Sequence, residues 1–255
     1  MTALRVLITG GGAGIGKATA TAFLEAGQRV HLCDLDDAVL KGALAELPGA
    51  SGSQVDVTRE EDVARLFAEA QGTLDGLDVL VNCVGVSGPA GPIETLSLAE
   101  WRACLAANLD SAFLCCRAAA PILKEQGSGL IVNLSSTAGQ MGYPNRSPYA
   151  TAKWGVIGLT KTLAMEMGPF GVRVNALCPG SVEGPRMDRV IAMEAAATAR
   201  RENDVRLGYT AMTSLRCFVS GADIANMILF LASPAGARIS GQALAVDGHT
   251  ERLVT

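Results

Sequence analysis

Arg5-Val6-Leu7-Ile8-Thr9-Gly10-Gly11-Gly12-Ala13-Gly14-Ile15-Gly16 carries a short apolar run straight into a glycine-rich turn, and residues 14–26 continue in a helical pattern. Strand, turn and helix in that order let glycine backbone approach a pyrophosphate, while the helix start offers free N–H groups and the positive end of its dipole. Gly10, Gly14, Ile15 and Gly16 are therefore candidate cofactor contacts. A glycine turn alone is also an ordinary connection between strand and helix. What strengthens it is Asp34, which closes the next apolar run 18 residues beyond Gly16. There a carboxylate can accept hydrogen bonds from the adenosine ribose hydroxyls of NAD, whereas a 2′-phosphate would meet like charge. Capping of the following helix is an alternative use of Asp34. Asp36 or Asp37 can cap equally well, and the two roles can be divided between Asp34 and Asp36.

Outward from this turn, β-branched runs at 5–9, 29–33, 53–57, 79–82, 130–134, 173–178 and 243–246 alternate with helical patterns at 36–46, 60–71, 101–126, 148–167 and 222–232. That rhythm predicts crossover units and an α/β fold: a single-domain, Rossmann-type, doubly wound parallel sheet with helices on both faces. An eight-fold barrel also alternates strands and helices, but a glycine turn after strand one and an acid after strand two belong to dinucleotide folds. With no internal repeat and no proline-rich linker, residues 1–255 are read as one dinucleotide-binding catalytic domain. Residues 181–221 mix charges without a strand pattern and are expected to be irregular, a mobile surface segment or substrate lid.

Lys and Arg number 21 against 25 Asp and Glu, a net charge of -4 with no basic block, which argues against nucleic acid as a partner. Hydrophobic residues make up 49% of the chain but come in short runs, so no membrane span is expected. No basic segment followed by a long apolar one opens the chain, and a cytoplasmic protein is expected. The seven cysteines show no CxxC pair and no histidines at zinc spacing, so buried thiols and no metal are expected.

A second cluster combines Ser135-Ser136 after a strand with Tyr149-Ala150-Thr151-Ala152-Lys153. Tyr149 and Lys153, four apart on a helix, project from one face. Ser147-Pro148 predicts the helix cap and first helical residue, which puts Tyr149 near the helix start. A nearby ammonium and an oxidised nicotinamide stabilise a phenolate, so this tyrosine can exchange a proton with an alcohol.

Taken together these motifs resemble the short-chain dehydrogenase/reductase family over essentially the whole chain. Thr9 to Gly16 is similar to its TGxxxGxG turn, Asp56-Val57 to the pair beside the adenine, and Asn82 with Gly85 to part of its NNAG stretch. Asn108 corresponds to the helix asparagine, Ser136 to the serine thirteen residues before the tyrosine, Tyr149 and Lys153 to YxxxK, and Pro179-Gly180 to the nicotinamide-side turn. The resemblance implies a catalytic tetrad of Asn108, Ser136, Tyr149 and Lys153. It further implies cofactor contacts from Tyr149, Lys153, Asp56, Val57, Asn82, Gly85, Pro179 and Gly180. Tyr149 would take the alcohol proton, Ser136 hold the substrate oxygen, Lys153 bind the nicotinamide ribose, and Asn108 position a water. Cys83 and Val84 depart from the family pattern, as does Gly184, where a threonine often binds the carboxamide. Backbone near Val182, or Ser181, would then take over that contact.

The expected function is NAD-dependent hydride transfer between a secondary alcohol or ketone and nicotinamide. Alternatives are a 3-oxoacyl thioester reductase, a polyol or hydroxysteroid dehydrogenase, and an NAD-binding sensor or scaffold; an intact tetrad speaks against the last. A carrier-protein reductase would be expected to use NADPH and to show a basic docking patch, and neither is evident. Segments 86–93, 137–146 and 181–218 should wall the substrate pocket, with Met141, Tyr143, Met187, Met193 and Met212 as its apolar surface. Arg146 and Arg186 either bind a carboxylate or sulfonate or serve as solvated charges and ion-pair partners. In relatives the helices at 101–126 and 148–167 make subunit contacts, so a homotetramer is expected.

Overall fold

The β-branched runs pair edge to edge into one parallel sheet. In the computed structural model, which describes residues 3–250, its strands are β1 (Arg5–Thr9), β2 (Arg29–Asp34), β3 (Ser51–Gln54), β4 (Val79–Asn82), β5 (Gly129–Leu134), β6 (Val172–Pro179) and β7 (Ala243–Val246). Their order is β3-β2-β1-β4-β5-β6-β7, with every pairing parallel. The winding reverses between β1 and β4, which opens a crevice at their carboxyl ends. The third strand lies earlier than the expected 53–57: Asp56 Oδ1 accepts from both the N–H and the hydroxyl of Thr58 and turns the chain. Val55 and Val57 are still buried.

Alternate residues of each strand enter different cores. On one face Val6, Ile8, Val30, Leu32, Val81 and Val132 meet Phe23 of α1 (Gly14–Glu25), Leu40 of α2 (Asp37–Glu46) and Ile224, Ile228 and Leu231 of α9 (Gly221–Ala232). On the other, Leu7, Leu80, Ile131 and Val174 meet Leu66 and Phe67 of α3 (Glu60–Leu74) and Cys115, Cys116, Ala119 and Leu123 of α5 (Ser111–Gln126). Both faces are covered, as the apolar strands require.

Three expectations are corrected. The helix at 101–126 is two pieces, α4 (Leu98–Leu105) and α5, joined by a π-helical turn at Ala106–Asp110, and it starts earlier because Ser97 and Glu100 form a reciprocal capping box. By length and hydropathy alone this 29-residue stretch, whose most apolar 18 residues have a mean hydropathy of 1.2, reaches what a membrane crossing needs, yet its Cys115, Ala119 and Leu123 are buried against the sheet. In α6 (Ser147–Met167) Arg146, not Ser147, holds the cap position, without a side-chain bond; the Ser147 hydroxyl is buried and finds no partner.

The third correction concerns 181–221, which is not irregular. It folds into α7 (Pro185–Thr198) and α8 (Glu202–Ala211), closed on a cluster of Met187, Ile191, Ala195, Val205 and Tyr209. The charges that obscured its pattern pair outside the cluster, Arg201 with Asp204 at 2.8 Å and Arg206 with Asp188. Among the cysteines, Cys33, Cys104, Cys115, Cys116 and Cys178 are buried as expected, Cys83 is half-buried, and Cys217 is exposed; all are unpaired.

His31 on β2 is buried between Ser51 Oγ at 2.8 Å and Ser53 Oγ at 2.9 Å of β3. Burial lowers its pKa below the ordinary 6.5, against the opposing charge of Glu69. The folded state therefore disfavours the protonated ring, so this stability is present above pH 6.5 and is lost as pH falls below it. Urea titrations should show unfolding free energy falling there with a His31-dependent slope of up to about 1.4 kcal/mol per pH unit. His31→Gln, which keeps a donor and an acceptor, should flatten it; identical slopes in both proteins would refute the assignment.

Candidate active site

The crevice begins at the glycine turn. Gly10 adopts φ +62°, and a Cβ on Gly16 would fall 2.1 Å from the Gly10 carbonyl oxygen, so only glycine lets helix and turn pack this closely. Ala13, at the cap of α1, provides no side-chain acceptor, and the first turn carries no acid. Ala13 and Gly14 are exposed, Ile15 is half-buried, and a Cβ on Gly14 would meet nothing within 4 Å. The first-turn N–H groups are thus left for an anion in open space.

Asp34 is half-buried at the end of β2. Its Oδ2 accepts from Gly12 N at 3.1 Å and its Oδ1 from Asp36 N at 3.3 Å. Capping of α2 falls to Asp36, which accepts from Ala38 N at 2.9 Å and Val39 N at 3.2 Å. The two roles are divided, and the Asp34 carboxylate is fixed beside the turn. Lys17, the first cation after the glycines, is paired with Glu46 at 2.6 Å. Past β3, Asp56 is half-buried and Val57 buried. A glycine cradle, unfilled helix N–H groups and an acid at the second strand fit an adenine dinucleotide.

Beyond β4 the two sides of the crevice meet. Thr9 Oγ1 accepts from Cys83 N at 3.2 Å, tying the ends of β1 and β4. The Asn82 amide points inward, donating to Asn133 Oδ1 at 2.8 Å and Cys116 Sγ at 3.4 Å, with its own Oδ1 buried and unpartnered. Gly85 passes directly over Asn108 and Lys153: a Cβ there would lie 2.8 Å from Asn108 Oδ1 and 3.2 Å from Lys153 Nζ. Asn108, buried in the π turn, clamps the next residue, accepting from Val86 N at 3.2 Å and donating to Val86 O at 3.1 Å.

Lys153 is only 4% exposed, and its Nζ donates to the Leu134 carbonyl at 2.9 Å. Burial, and then the charge of Arg186, lower its pKa to about 8. The ammonium stands 5.7 Å from the ring centre of Tyr149, which is half-buried on the same helix. Ser136 follows β5, half-buried, its Oγ accepting from Ala138 N at 3.2 Å. Ser135, which sequence reasoning left without a role, donates to the Lys153 carbonyl at 2.8 Å and locks α6 to the end of β5. The adjacent serines were visible in the sequence; the Leu134 carbonyl had no side-chain signal to betray it.

At the far wall Pro179 is buried, and Gly180 N donates to Val246 O at 3.1 Å. Val182 bridges to Val219, flanked by Val219 N to Ser181 O at 3.0 Å and Glu183 N to Val219 O at 2.8 Å. A Cβ on Gly184 would meet nothing within 4 Å, so the threonine position is open. Of the expected apolar wall, Met187 is buried within the α7–α8 cluster and Met212 packs on it, while Met193 is 70% exposed. Arg186 reaches the Gly85 carbonyl at 3.2 Å and Arg146 the Ser87 carbonyl at 3.3 Å.

A family model described as enoyl-(acyl carrier protein) reductase matches residues 10–249. The chain is 36% identical over 252 residues to trans-4-hydroxycyclohexanecarboxylate dehydrogenase of Sinomonas cyclohexanicum, covering 95% of this chain and 90% of that protein. Among solved structures it superposes on a variant of actinorhodin polyketide ketoreductase with NADPH at a TM-score of 0.93, with 31% identity and 96% of each chain covered. It also superposes on NAD+-bound xylitol dehydrogenase at a TM-score of 0.92, with 28% identity over 95% of this chain and 97% of that one. With the glycine cradle, the buried lysine and the tyrosine beside it already in place, these likenesses make the chain an oxidoreductase of the short-chain dehydrogenase/reductase family.

Proposed function

We propose that this oxidoreductase interconverts a secondary alcohol and its ketone with NAD as the preferred cofactor. The observation that carries the reading is the close approach of Asn108 and Lys153 to Gly85, with the Tyr149 ring centre 5.7 Å from the Lys153 ammonium and Ser136 just past the end of β5. When bound, the nicotinamide accepts or supplies the hydride. The remaining work belongs to the chain. Tyr149 Oη takes the hydroxyl proton during oxidation and returns it during reduction. Ser136 Oγ donates to the substrate oxygen and holds it against Tyr149. Lys153, charged below about pH 8, favours the phenolate and binds the nicotinamide ribose. Asn108, engaged with Val86 on both sides of its amide, is the positioning residue for a water that relays the proton. The glycine turn and α1 hold the pyrophosphate, Asp34 the adenosine ribose, Asp56 and Val57 the adenine edge, and Pro179 to Val182 the nicotinamide side.

A second reading, reduction of a 3-oxoacyl thioester, draws support from the description of the matching family model. The cations near the adenosine end weigh against its expected NADPH: Lys17 is paired with Glu46, Lys41 with Asp37 and Arg59 with Glu61. Self-association through α5 and α6 is favoured by Phe113, Trp154 and Met165, which stand exposed along those helices. The seven unpaired thiols agree with a cytoplasmic protein.

Tyr149→Phe should keep NAD binding and lose turnover by roughly 10²–10⁴-fold, because the ring still packs while the transferable proton is gone. Steady-state rates with a panel of secondary alcohols, alongside NAD titration of the purified variant, check this. Near-normal turnover would remove the tyrosine from the chemistry.

NAD should be preferred to NADP in kcat/KM by at least tenfold. A phosphate charge about 4 Å from Asp34 costs roughly 1 kcal/mol in water and about 4 at an effective dielectric of 20, and each 1.4 kcal/mol is about a factor of ten. Asp34→Ser should narrow the gap chiefly by weakening NAD. Equal values for the two cofactors in the wild type would sink the Asp34 assignment.

The α7–α8 segment, with its small separate core, should act as the substrate lid. Hydrogen exchange in its amides should slow when NAD and a substrate are both bound; unchanged exchange would argue against closure.

A further inference from the structure

Two guanidinium groups stand at the substrate end of the crevice, and both are anchored to the same loop. Arg186, near the start of α7, donates Nη1 to the Gly85 carbonyl at 3.2 Å; Arg146, at the cap of α6, donates Nη1 to the Ser87 carbonyl at 3.3 Å. The loop between those carbonyls is the one that Asn108 clamps and that lies against Lys153. Three cationic side chains therefore converge on residues 85–87.

No carboxylate offsets them. Among the described residues neither Arg146 nor Arg186 has an acidic oxygen within 4.0 Å, whereas other charges of the α7–α8 segment are engaged: Asp188 with Arg206, Asp204 with Arg201, and Glu194 with Arg200 and the Tyr209 hydroxyl. Asp247, beyond β7, is taken up by the backbone N–H groups of His249 and Thr250. The excess is felt locally, since the Arg186 charge adds to burial in lowering the Lys153 pKa, and the Lys153 and Arg146 charges oppose the rise that burial imposes on the Cys104 thiol. A guanidinium has five N–H donors in a planar fork, and one carbonyl bond from each arginine, with Arg146 also lying 5.8 Å from the Tyr143 ring centre, leaves most of that donor capacity unused. A planar oxyanion is the group that would use it.

Building on the alcohol and ketone reading above, we infer that the substrate is a hydroxy or oxo acid whose carboxylate is gripped by Arg186 and Arg146 while its oxygenated carbon faces Ser136 and Tyr149. The two arginines are then specificity-determining residues. They select for charge at the end of the substrate remote from the reacting bond.

The test uses a homologous series, 4-oxopentanoate, 5-oxohexanoate and 4-oxocyclohexanecarboxylate, each beside its methyl ester, with NADH. At least one acid should exceed its ester by tenfold or more in kcat/KM, with the difference carried by KM and shrinking as salt is added. Arg186→Gln or Arg146→Gln should reduce that acid-to-ester ratio by about tenfold, roughly the value of one charged hydrogen bond. Arg186→Lys should restore only part of it, because the fork is lost. Calorimetric titration of the same acids and esters into the enzyme saturated with NAD reads binding without turnover. Esters turned over and bound as well as their acids would overturn the carboxylate inference while leaving alcohol and ketone chemistry intact. Arginine-dependent binding of acids with no turnover of any ketone would do the reverse, upholding the anion site and rejecting the proposed reaction.

Discussion

The buried ammonium of Lys153 constrains everything around it. Withdrawing a charge from water costs several kcal/mol unless other groups replace the lost solvation, and here one such group is the Leu134 carbonyl at the end of β5. That carbonyl is available because β5 stops there: Ser135 N bonds across to Leu177 O, and the chain then leaves the sheet. The same strand end supplies Ser135 Oγ to the backbone of Lys153 and places Ser136 in the cleft. One helix turn is thus held to one strand end by two bonds, and Tyr149, a turn earlier, inherits its position from them.

The opposite wall is set by close approach. Gly85 lies so near Asn108 and Lys153 that a side chain would displace one of them, and the π turn at Ala106–Asp110 turns the Asn108 amide onto Val86. A regular α-helix through this point would rotate that side chain onto another face, so the local widening, at a cost in helical hydrogen bonding, serves the geometry of the cleft. Asn82, Asn133 and Thr160 form a buried polar chain behind it, spacing β4, β5 and α6.

What was legible in the sequence was whatever depends on period or on a rare residue type. The strands other than β3 read cleanly because both faces of a parallel sheet bury β-branched residues, whereas β3, Ser51–Gln54, has none. The glycine turn read because its close packing needs a missing side chain, and Asp34 because a charged residue closes an apolar strand. The pairing of Tyr149 with Lys153 followed from helical spacing. The π turn was invisible, since Ala106 to Asp110 is ordinary helical sequence, and Asn108 within it bonds to Val86, a partner distant in the chain. The α7–α8 pair was misread as irregular because its apolar positions are few and separated by charges that pair locally. A motif match gives the position of Asn82 but not the direction of its amide, whose nitrogen donates to Asn133 Oδ1 while its Oδ1 stays unpartnered.

The separate small core of α7 and α8 has an evolutionary consequence. Met187, Ile191, Ala195, Val205 and Tyr209 pack chiefly on one another rather than in the two cores that flank the sheet. Substitutions there are felt within the helix pair, and distant sites that share no partners combine additively. The chain can therefore rewrite this segment, length and charge included, without re-solving the packing that holds the glycine turn and Lys153. Mutational tolerance is concentrated in this helix pair, and intolerance where the sheet and its flanking helices hold the glycine turn and Lys153.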